Sequence, residues 1–295
     1  MESSMKKLHY ENIFFISLVH ILALVAIPFF SWGALGICLL MLFTISPLGI
    51  NLTYHRLLTH RSFKVPTWLE YVLSTIAATS AQGPMLLWCA EHRLHHRYSD
   101  TPQDPHSARQ SFFHAHIGHL FYRKEFEDQP DAWVKYVPDL AKHRYYHFLS
   151  KYAALFVVLP APFLYWWGGM SYVLWGIPVR IVLMWHITWS VNSVTHTFGY
   201  RTFETKDLSR NTWLVGLLGA GEGWHNNHHA FPHSASHGRT WYEFDLTYQI
   251  IRFLKLLGLA TEVKTPVLTA KPSSARIVDA ESESMPVPVQ APSPA

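Results

Sequence analysis

Glu91-His92-Arg93-Leu94-His95-His96 puts three histidines in five residues, at i, i+3 and i+4. On a helix this spacing gathers the three rings on one face. Neutral imidazole is a ligand for iron, zinc and copper. The spacing recurs at His225-Asn226-Asn227-His228-His229, and a His-x4-His pair stands earlier, at His55 and His60. Together the boxes hold eight histidines, His55, His60, His92, His95, His96, His225, His228 and His229. One tetrahedral zinc takes four ligands, so the expectation is a two-metal site. Residues five apart lie roughly 140° apart around a regular helix. His55 and His60 are therefore expected to reach different metals, or the helix ends between them.

Outward from the boxes the chain alternates apolar and polar stretches. Residues 13–32 are nearly all apolar, with His20 the main polar interruption, and about twenty such residues cross a bilayer. Gly33 reads as a turn, and 34–54 forms a second apolar segment ending on His55, with Pro47 and Gly49 distorting its last turn. Residues 68–88 read as one helix, buried at the site or lying at the interface. From Glu91 to about residue 150 the chain is polar. Two more apolar segments follow, 152–167 and 172–195, separated by Gly168-Gly169, and 241–259 is amphipathic. Residues 269–295, with Pro-Ser-Ser-Ala and repeated prolines, read as a disordered tail after one domain, 1–268.

The fold class expected is an all-α membrane protein: four transmembrane helices as two hairpins under a cytosolic helical cap, 55–150 and 196–260, holding the histidine-rich site. The turns at Gly33 and at Gly168-Gly169 carry no Lys or Arg, so the positive-inside rule puts both termini and the cap in the cytoplasm. All the boxes then share one membrane face. That orientation suits a multi-pass protein of a bacterial inner membrane or an endoplasmic reticulum. Arg180 and His186 fall inside the fourth span, where an ionisable group is either functional or paired structurally.

The 295 residues are 49% hydrophobic, with a net charge of +4; nothing in that balance asks for nucleic acid. Lys6 and Lys7 precede the first apolar run as in a signal peptide, but the run is too long and lacks a cleavage site, so it reads as an anchor. Cys38 and Cys89 form no disulfide framework or Cys-x-x-Cys centre, and the absence of His-Glu-x-x-His argues against a zinc protease. Two irons held mainly by imidazoles could bind and reduce O2. Oxygen activated on iron removes hydrogen from an unactivated methylene, which no acid, base or side-chain nucleophile does, and burial beside lipid suits an alkyl substrate.

Over roughly Ala34 to Leu259 the chain resembles the membrane fatty-acyl desaturases of the Δ9 acyl-CoA desaturase family. The resemblance rests on Gly49-Ile50 before His55-Arg56-Leu57, Thr59-His60-Arg61, the His92 box, Asp104-Pro105-His106, Asn192-Ser193-Val194-Thr195-His196 with Phe198-Gly199-Tyr200-Arg201, and Gly221-Glu222-Gly223-Trp224 before the His225 box. It implies O2-dependent insertion of a cis double bond, at Δ9, into a long saturated acyl chain; a related membrane hydroxylase or alkane oxygenase is the alternative. It implies a di-iron centre with His196 as a ninth histidine ligand, and Asn192 near one iron through a water. It also implies a mushroom-shaped fold with a bent acyl tunnel. By resemblance Gln82 and Trp189 line the acyl path, and Arg123 and Lys124 approach the headgroup of an acyl-CoA or acyl-lipid. Ala90 stands where animal members have Arg, which weakens CoA as carrier. No His-Pro-Gly-Gly haem stretch occurs, so electrons are expected from an external donor: a ferredoxin, a rubredoxin-like protein, or a cytochrome b5 type with its reductase. Glu222 is read either as orienting a ligand imidazole or as an ordinary cap. His106, His114, His116, His119, His143, His147, His233 and His237 are read as surface groups or supports behind the ligands.

Overall fold

The computed structural model describes residues 7–124 and 132–265, so the expected tail at 269–295 lies outside the described residues. Among the described residues the structure is helical, with isolated bridges only. The first helix, α1 (Tyr10–Val25), is followed by a short 3-10 turn, Ile27–Phe29. The reversal into α2 (Trp32–Ile45) therefore precedes Gly33. Ser31 takes the N-cap role, its Oγ accepting from the Ala34 N–H at 3.1 Å.

The expected distortion near Pro47 and Gly49 is larger than a frayed last turn. From Ser46 to Thr59 the chain continues as a π-helix, and all but Leu48 of its residues are buried. Pro47 has no N–H to give to a regular α-helical ladder, and it sits at the entry to the widened turns. The hydroxyls of Thr53 and Thr59 donate to carbonyls five residues back, Leu48 at 2.5 Å and Tyr54 at 2.7 Å. The His60 N–H likewise donates to the His55 carbonyl at 3.0 Å. Gly49 is needed for packing: a Cβ there would stand 2.8 Å from the Ala77 Cα.

The expected helix 68–88 is two helices, α3 (Thr67–Ala78) and α4 (Met85–Tyr98). Ala81 (φ 58°), Gly83 (φ 82°) and Pro84 break the run between them. After α5 (Phe112–His116) come the short α6 (Pro138–Ala141), α7 (Arg144–Lys151) and α8 (Ala153–Val158). Then α9 (Ala161–Leu174) leads through a π-turn, Trp175–Val179, into α10 (Arg180–Ser193). Gly168 (φ −146°) and Gly169 (φ 64°, ψ −159°) interrupt α9, so the apolar stretch Ala161–Ser193 is bent at the expected place. The last described helices are α11 (Trp213–Leu218), α12 (His225–Ala230) and α13 (Leu246–Leu256).

Two stretches are long and apolar enough to cross a membrane, Trp32–Thr59 and Ala161–Ser193; α1 is apolar but has 16 residues. Phe14, Leu24, Leu40 and Trp166 are exposed on these elements, surface of the kind that lipid covers. One core cluster lies among the π-helix, α3 and α4 around Tyr54, Leu73, Leu86 and Cys89; another joins Ile16, Ile37, Ile181, Trp185 and Trp189. Arg180 is buried and structural in its contacts: Nε donates to the Gly176 carbonyl at 3.1 Å and Nη1 to the Thr79 carbonyl at 2.9 Å, at the end of α3.

Candidate metal centre

All nine histidines singled out in the sequence converge, in two groups. Ligand nitrogens of His55, His60, His92, His96 and His228 lie within 4.8 Å of one another, as do those of His95, His196, His225 and His229. The i, i+3, i+4 spacing divides the His92 box between the groups: His92 and His96 face one, His95 the other. In the His225 box, His228 goes with the first group and His225 and His229 with the second. His55 and His60 do not divide between the groups; instead the helix ends between them, at Thr59, with His60 as its C-cap. Hydrogen bonding from i to i+5 in the π-helix brings residues five apart towards alignment, where an α-helix would turn them away.

The nitrogen spacings are those of ligands around ions. His55 Nε2 is 3.1 Å from His228 Nε2, His92 Nε2 is 3.1 Å from both His60 Nε2 and His96 Nε2, and His228 Nε2 is 2.9 Å from His96 Nε2. In the second group His225 Nε2 is 3.0 Å from His196 Nε2. Two imidazole nitrogens each about 2.1 Å from one ion, and at right angles, stand about 3.0 Å apart. The buried His95 Nε2 and His229 Nε2 have no hydrogen-bond partner, a cost that an ion would remove.

Behind four of the rings stands a carboxylate. Nδ1 of His55 faces Glu222 at 2.7 Å, His95 faces Asp104 at 3.0 Å, His196 faces Asp100 at 2.8 Å, and His229 faces Asp207 at 2.8 Å. Such a bond directs Nδ1–H outward and leaves the Nε2 lone pair for a metal. Burial lowers the pKa of His60, His92, His96, His225 and His228, helped in each case by neighbouring histidines, so these rings are held in the neutral, ligating form. Burial also opposes ionisation of Glu222, but Arg56, His55 and His237 outweigh it and hold the carboxyl well below its usual range. Arg56 is fully buried, donating to Glu222 at 2.9 Å and to Asp245 at 2.9 Å.

Of the supports, Glu222 was legible as an orienting group and Asp104 lay within the Asp104-Pro105-His106 match. Asp100 and Asp207 were not foreseen: each is an acid in a loop, and only Asp100, four residues after His96, carried a positional hint. His106 and His237 are buried, His237 with Nε2 unpartnered and its ring 4.3 Å from that of His228.

A cavity of about 600 Å3 adjoins the first group, with His92 and Asn192 in its wall. Gln82, Trp189, Arg123 and Lys124 also line it, so all four expected substrate contacts meet one space. Gln82 faces Thr188, Nε2 to Oγ1, at 3.5 Å. Lys124 pairs with Glu91 at 2.5 Å, and Arg123 with Glu11 at 3.0 Å. A smaller cavity, lined by His55, His92, His225, Thr188 and Asn192, lies against the histidines.

A helical protein with two membrane-length apolar stretches, nine converged histidines and an adjoining cavity has the features of a membrane-associated enzyme whose histidine clusters could hold metal. Residues 13–254 match the fatty acid desaturase family model, and the chain belongs to that family. It is 45% identical over 259 residues to the sn-2 palmitoyl-lipid 9-desaturase of Nostoc sp., covering 87% of this chain and 90% of that one. It is 44% identical over 265 residues to the sn-1 stearoyl-lipid 9-desaturase of Synechocystis sp., covering 89% and 82%. To the Acyl-CoA C20 Delta5-desaturase of Anemone leveillei it is 43% identical over 255 residues, covering 86% and 81%. The protein is a fatty acid desaturase, an oxidoreductase of lipid metabolism.

Proposed function

We propose that the protein uses O2 to insert a cis double bond at Δ9 of a long saturated acyl chain carried on a glycerolipid. Two irons are held by the nine histidines, one by His55, His60, His92, His96 and His228, the other by His95, His196, His225 and His229. The observation that carries this reading is the two-group convergence with a carboxylate behind a ring in each group. Iron there supplies the O2 activation needed to take hydrogen from unactivated methylenes. The protein's residues do the rest. Glu222, Asp100, Asp104 and Asp207 fix ring orientation, and Asn192 presents an amide to the wall shared by the two cavities, in reach of a bridging water. Trp189, Trp185 and Leu87 give the large cavity an apolar wall that seats the chain and excludes water. The names of the two cyanobacterial relatives favour a lipid-bound chain, as does the engagement of Arg123 and Lys124 by carboxylates, which reduces their availability to a polyanionic carrier. Electrons come from an external one-electron carrier protein. Four spans as two hairpins, α1, α2, 152–167 and 172–195, leave the site on the cytoplasmic face; the bend at Gly168-Gly169 supports this.

Gas chromatography of fatty acids from expressing cells, with double bonds mapped, tests the reading. A new cis-monoene is expected, disappearing in His95→Ala and His228→Ala with loss of bound iron and normal membrane insertion. Full iron and activity in both variants, or a hydroxylated product from the wild type, would overturn it.

A further inference from the structure

The short helix α11 turns an apolar face outward. Trp213, Leu214, Leu217 and Leu218 are exposed, Leu217 by 69%, while Val215 and Gly216 are buried behind them. That spacing is one face of a helix. Gly216 lets the other face pack closely, since a Cβ there would stand 2.9 Å from the Trp224 ring. The loop 241–244 widens the same surface. Trp241 is 94% exposed and Phe244 is exposed. The Tyr242 ring stacks on that of Trp213 at 5.8 Å, and Trp213 meets Trp224 edge-on at 5.2 Å. Trp224 is held in turn by its Nε1, which donates to the Phe244 carbonyl at 2.9 Å. No Asp, Glu, Lys or Arg occurs from 211 to 221. The one charged side chain of the loop, Glu243, is buried, accepting from the Tyr200 hydroxyl at 2.6 Å and from Asn227 Nδ2 at 3.0 Å.

The level of this surface follows from what α11 packs on. The Gly219 carbonyl, at the end of α11, accepts from Asn51 Nδ2 at 3.0 Å, within the membrane-length stretch Trp32–Thr59. A Cβ on Gly219 would stand 3.7 Å from Ile187 Cγ2 of α10. Ile187 comes six residues before the end of α10 at Ser193, about 9 Å back along its axis. The helix α11 therefore lies beside the two long apolar stretches, not beyond their ends. One turn before Ile187, on the same face of α10, stands the exposed Leu183. The apolar surface of the stem passes from Leu183 by way of Ile187 to α11.

We propose that α11 and the 241–244 loop sit in the cytoplasmic leaflet of the bilayer, an anchor additional to the spans. The inference rests on the span topology proposed above and not on the reaction. A segment lying in the interface buries its apolar face about 5–10 Å into the boundary between headgroups and acyl chains, the depth that Ile187 gives α11. Tryptophan and tyrosine suit that depth, where the ring meets acyl chains and its N–H or O–H meets headgroups. A protein partner would instead find a polar rim around an apolar centre, and α11 carries no charge while that of Glu243 is turned inward. The segment 196–260, expected in the cytosol, is on this side held in lipid. Gly219 also lines the small cavity against His55, His92 and His225, so the anchor fixes the height of the histidine groups over the acyl layer.

The test uses the full chain in phosphatidylcholine bilayers, with a nitroxide label on one introduced cysteine at a time. Cys38 and Cys89 are buried and stay unlabelled in the folded protein. Collisions of the label with O2, which concentrates among acyl chains, are compared with those of a water-soluble nickel chelate. At Leu217→Cys and Trp241→Cys the O2-to-nickel ratio should exceed that at the exposed Lys264→Cys several-fold, as it does at Leu40→Cys on the outer face of α2. A ratio at either site equal to that at Lys264→Cys would overturn the anchor by placing the surface in water. Loss of both kinds of collision would overturn it too, by placing a second copy or another protein there. A label at Leu40→Cys that behaves like one at Lys264→Cys would instead overturn the span topology on which the anchor rests.

Discussion

Asp100→Asn removes one charge from behind the second metal group with almost no change of shape. Asp100 Oδ2 accepts from His196 Nδ1 at 2.8 Å and from the Leu208 N–H at 2.8 Å, and the side chain is 1% exposed. The backbone at Asp100 has φ 58°, a conformation that Asn adopts as readily. An amide oxygen placed where Oδ2 stands keeps both acceptor contacts, and the new NH2 faces Ser107 Oγ, now 3.5 Å from Oδ1. What disappears is the charge assistance, which makes such a bond roughly twice as strong as a neutral one. Loss of a support of this kind lowers metal affinity about 10–100-fold, or about 1.4–2.7 kcal/mol. The assay is iron retained per chain during competition with a graded chelator, with Glu262→Gln as control because its pair with Lys64 is exposed on both sides. An iron-retention curve for Asp100→Asn superimposable on wild type would refute the claim that this carboxylate helps hold a metal through His196.

Three further outcomes follow from the packing. Arg56→Met leaves Glu222 and Asp245 buried without their cation and should destabilise the fold by about 3–5 kcal/mol, read as a lower midpoint of thermal unfolding in detergent. Thr188 borders both cavities; Thr188→Trp should fill the junction and cut desaturation on the order of a hundredfold while iron content is unchanged. Asp139 accepts from Arg93 at 2.6 Å and Arg61 Nε at 3.0 Å. Burial would raise its pKa, but Arg93 and Arg61 outweigh burial and lower it from 3.8 to about 2. Its stabilisation is therefore present above about pH 4 and lost as pH falls towards 2. Asp139→Asn should cost about 1 kcal/mol at pH 7, discounted for partial exposure, and the gap from wild type should stay constant between pH 5 and 8 and close below pH 4.

The metal-facing residues were legible because helical spacing and chemistry coincide in them. His92, His95 and His96 announce one face of a helix, and the structure divides that face between two groups by the angle between i+3 and i+4. Their supports were less legible because a carboxylate in a loop has no periodicity: Asp207 reaches His229 from 22 residues away, by a path that no local pattern encodes. His55 and His60 were legible only as two alternatives: they do not reach different groups, and the helix ends between them at Thr59. Apolar pattern and length pointed to a helix there, but the phase of a helix is a backbone property. Pro47 and the threonine bonds to residues five back set that phase in the folded chain. The break between α3 and α4 falls at Gln82-Gly83-Pro84, which punctuate the mainly apolar run from 68 to 88 and were the better guide than its apolarity.

The widened stretch from Ser46 to Thr59 also makes chain length an inherited quantity there. A substitution of similar volume disturbs one contact and leaves the winding intact. A one-residue deletion before His55 would return the segment towards ordinary helical phase and swing that imidazole about 100° aside, although no ligand had been altered. In this part of the gene a lost codon and a changed codon are different kinds of injury, and descendants of the fold can vary its letters far more freely than its count.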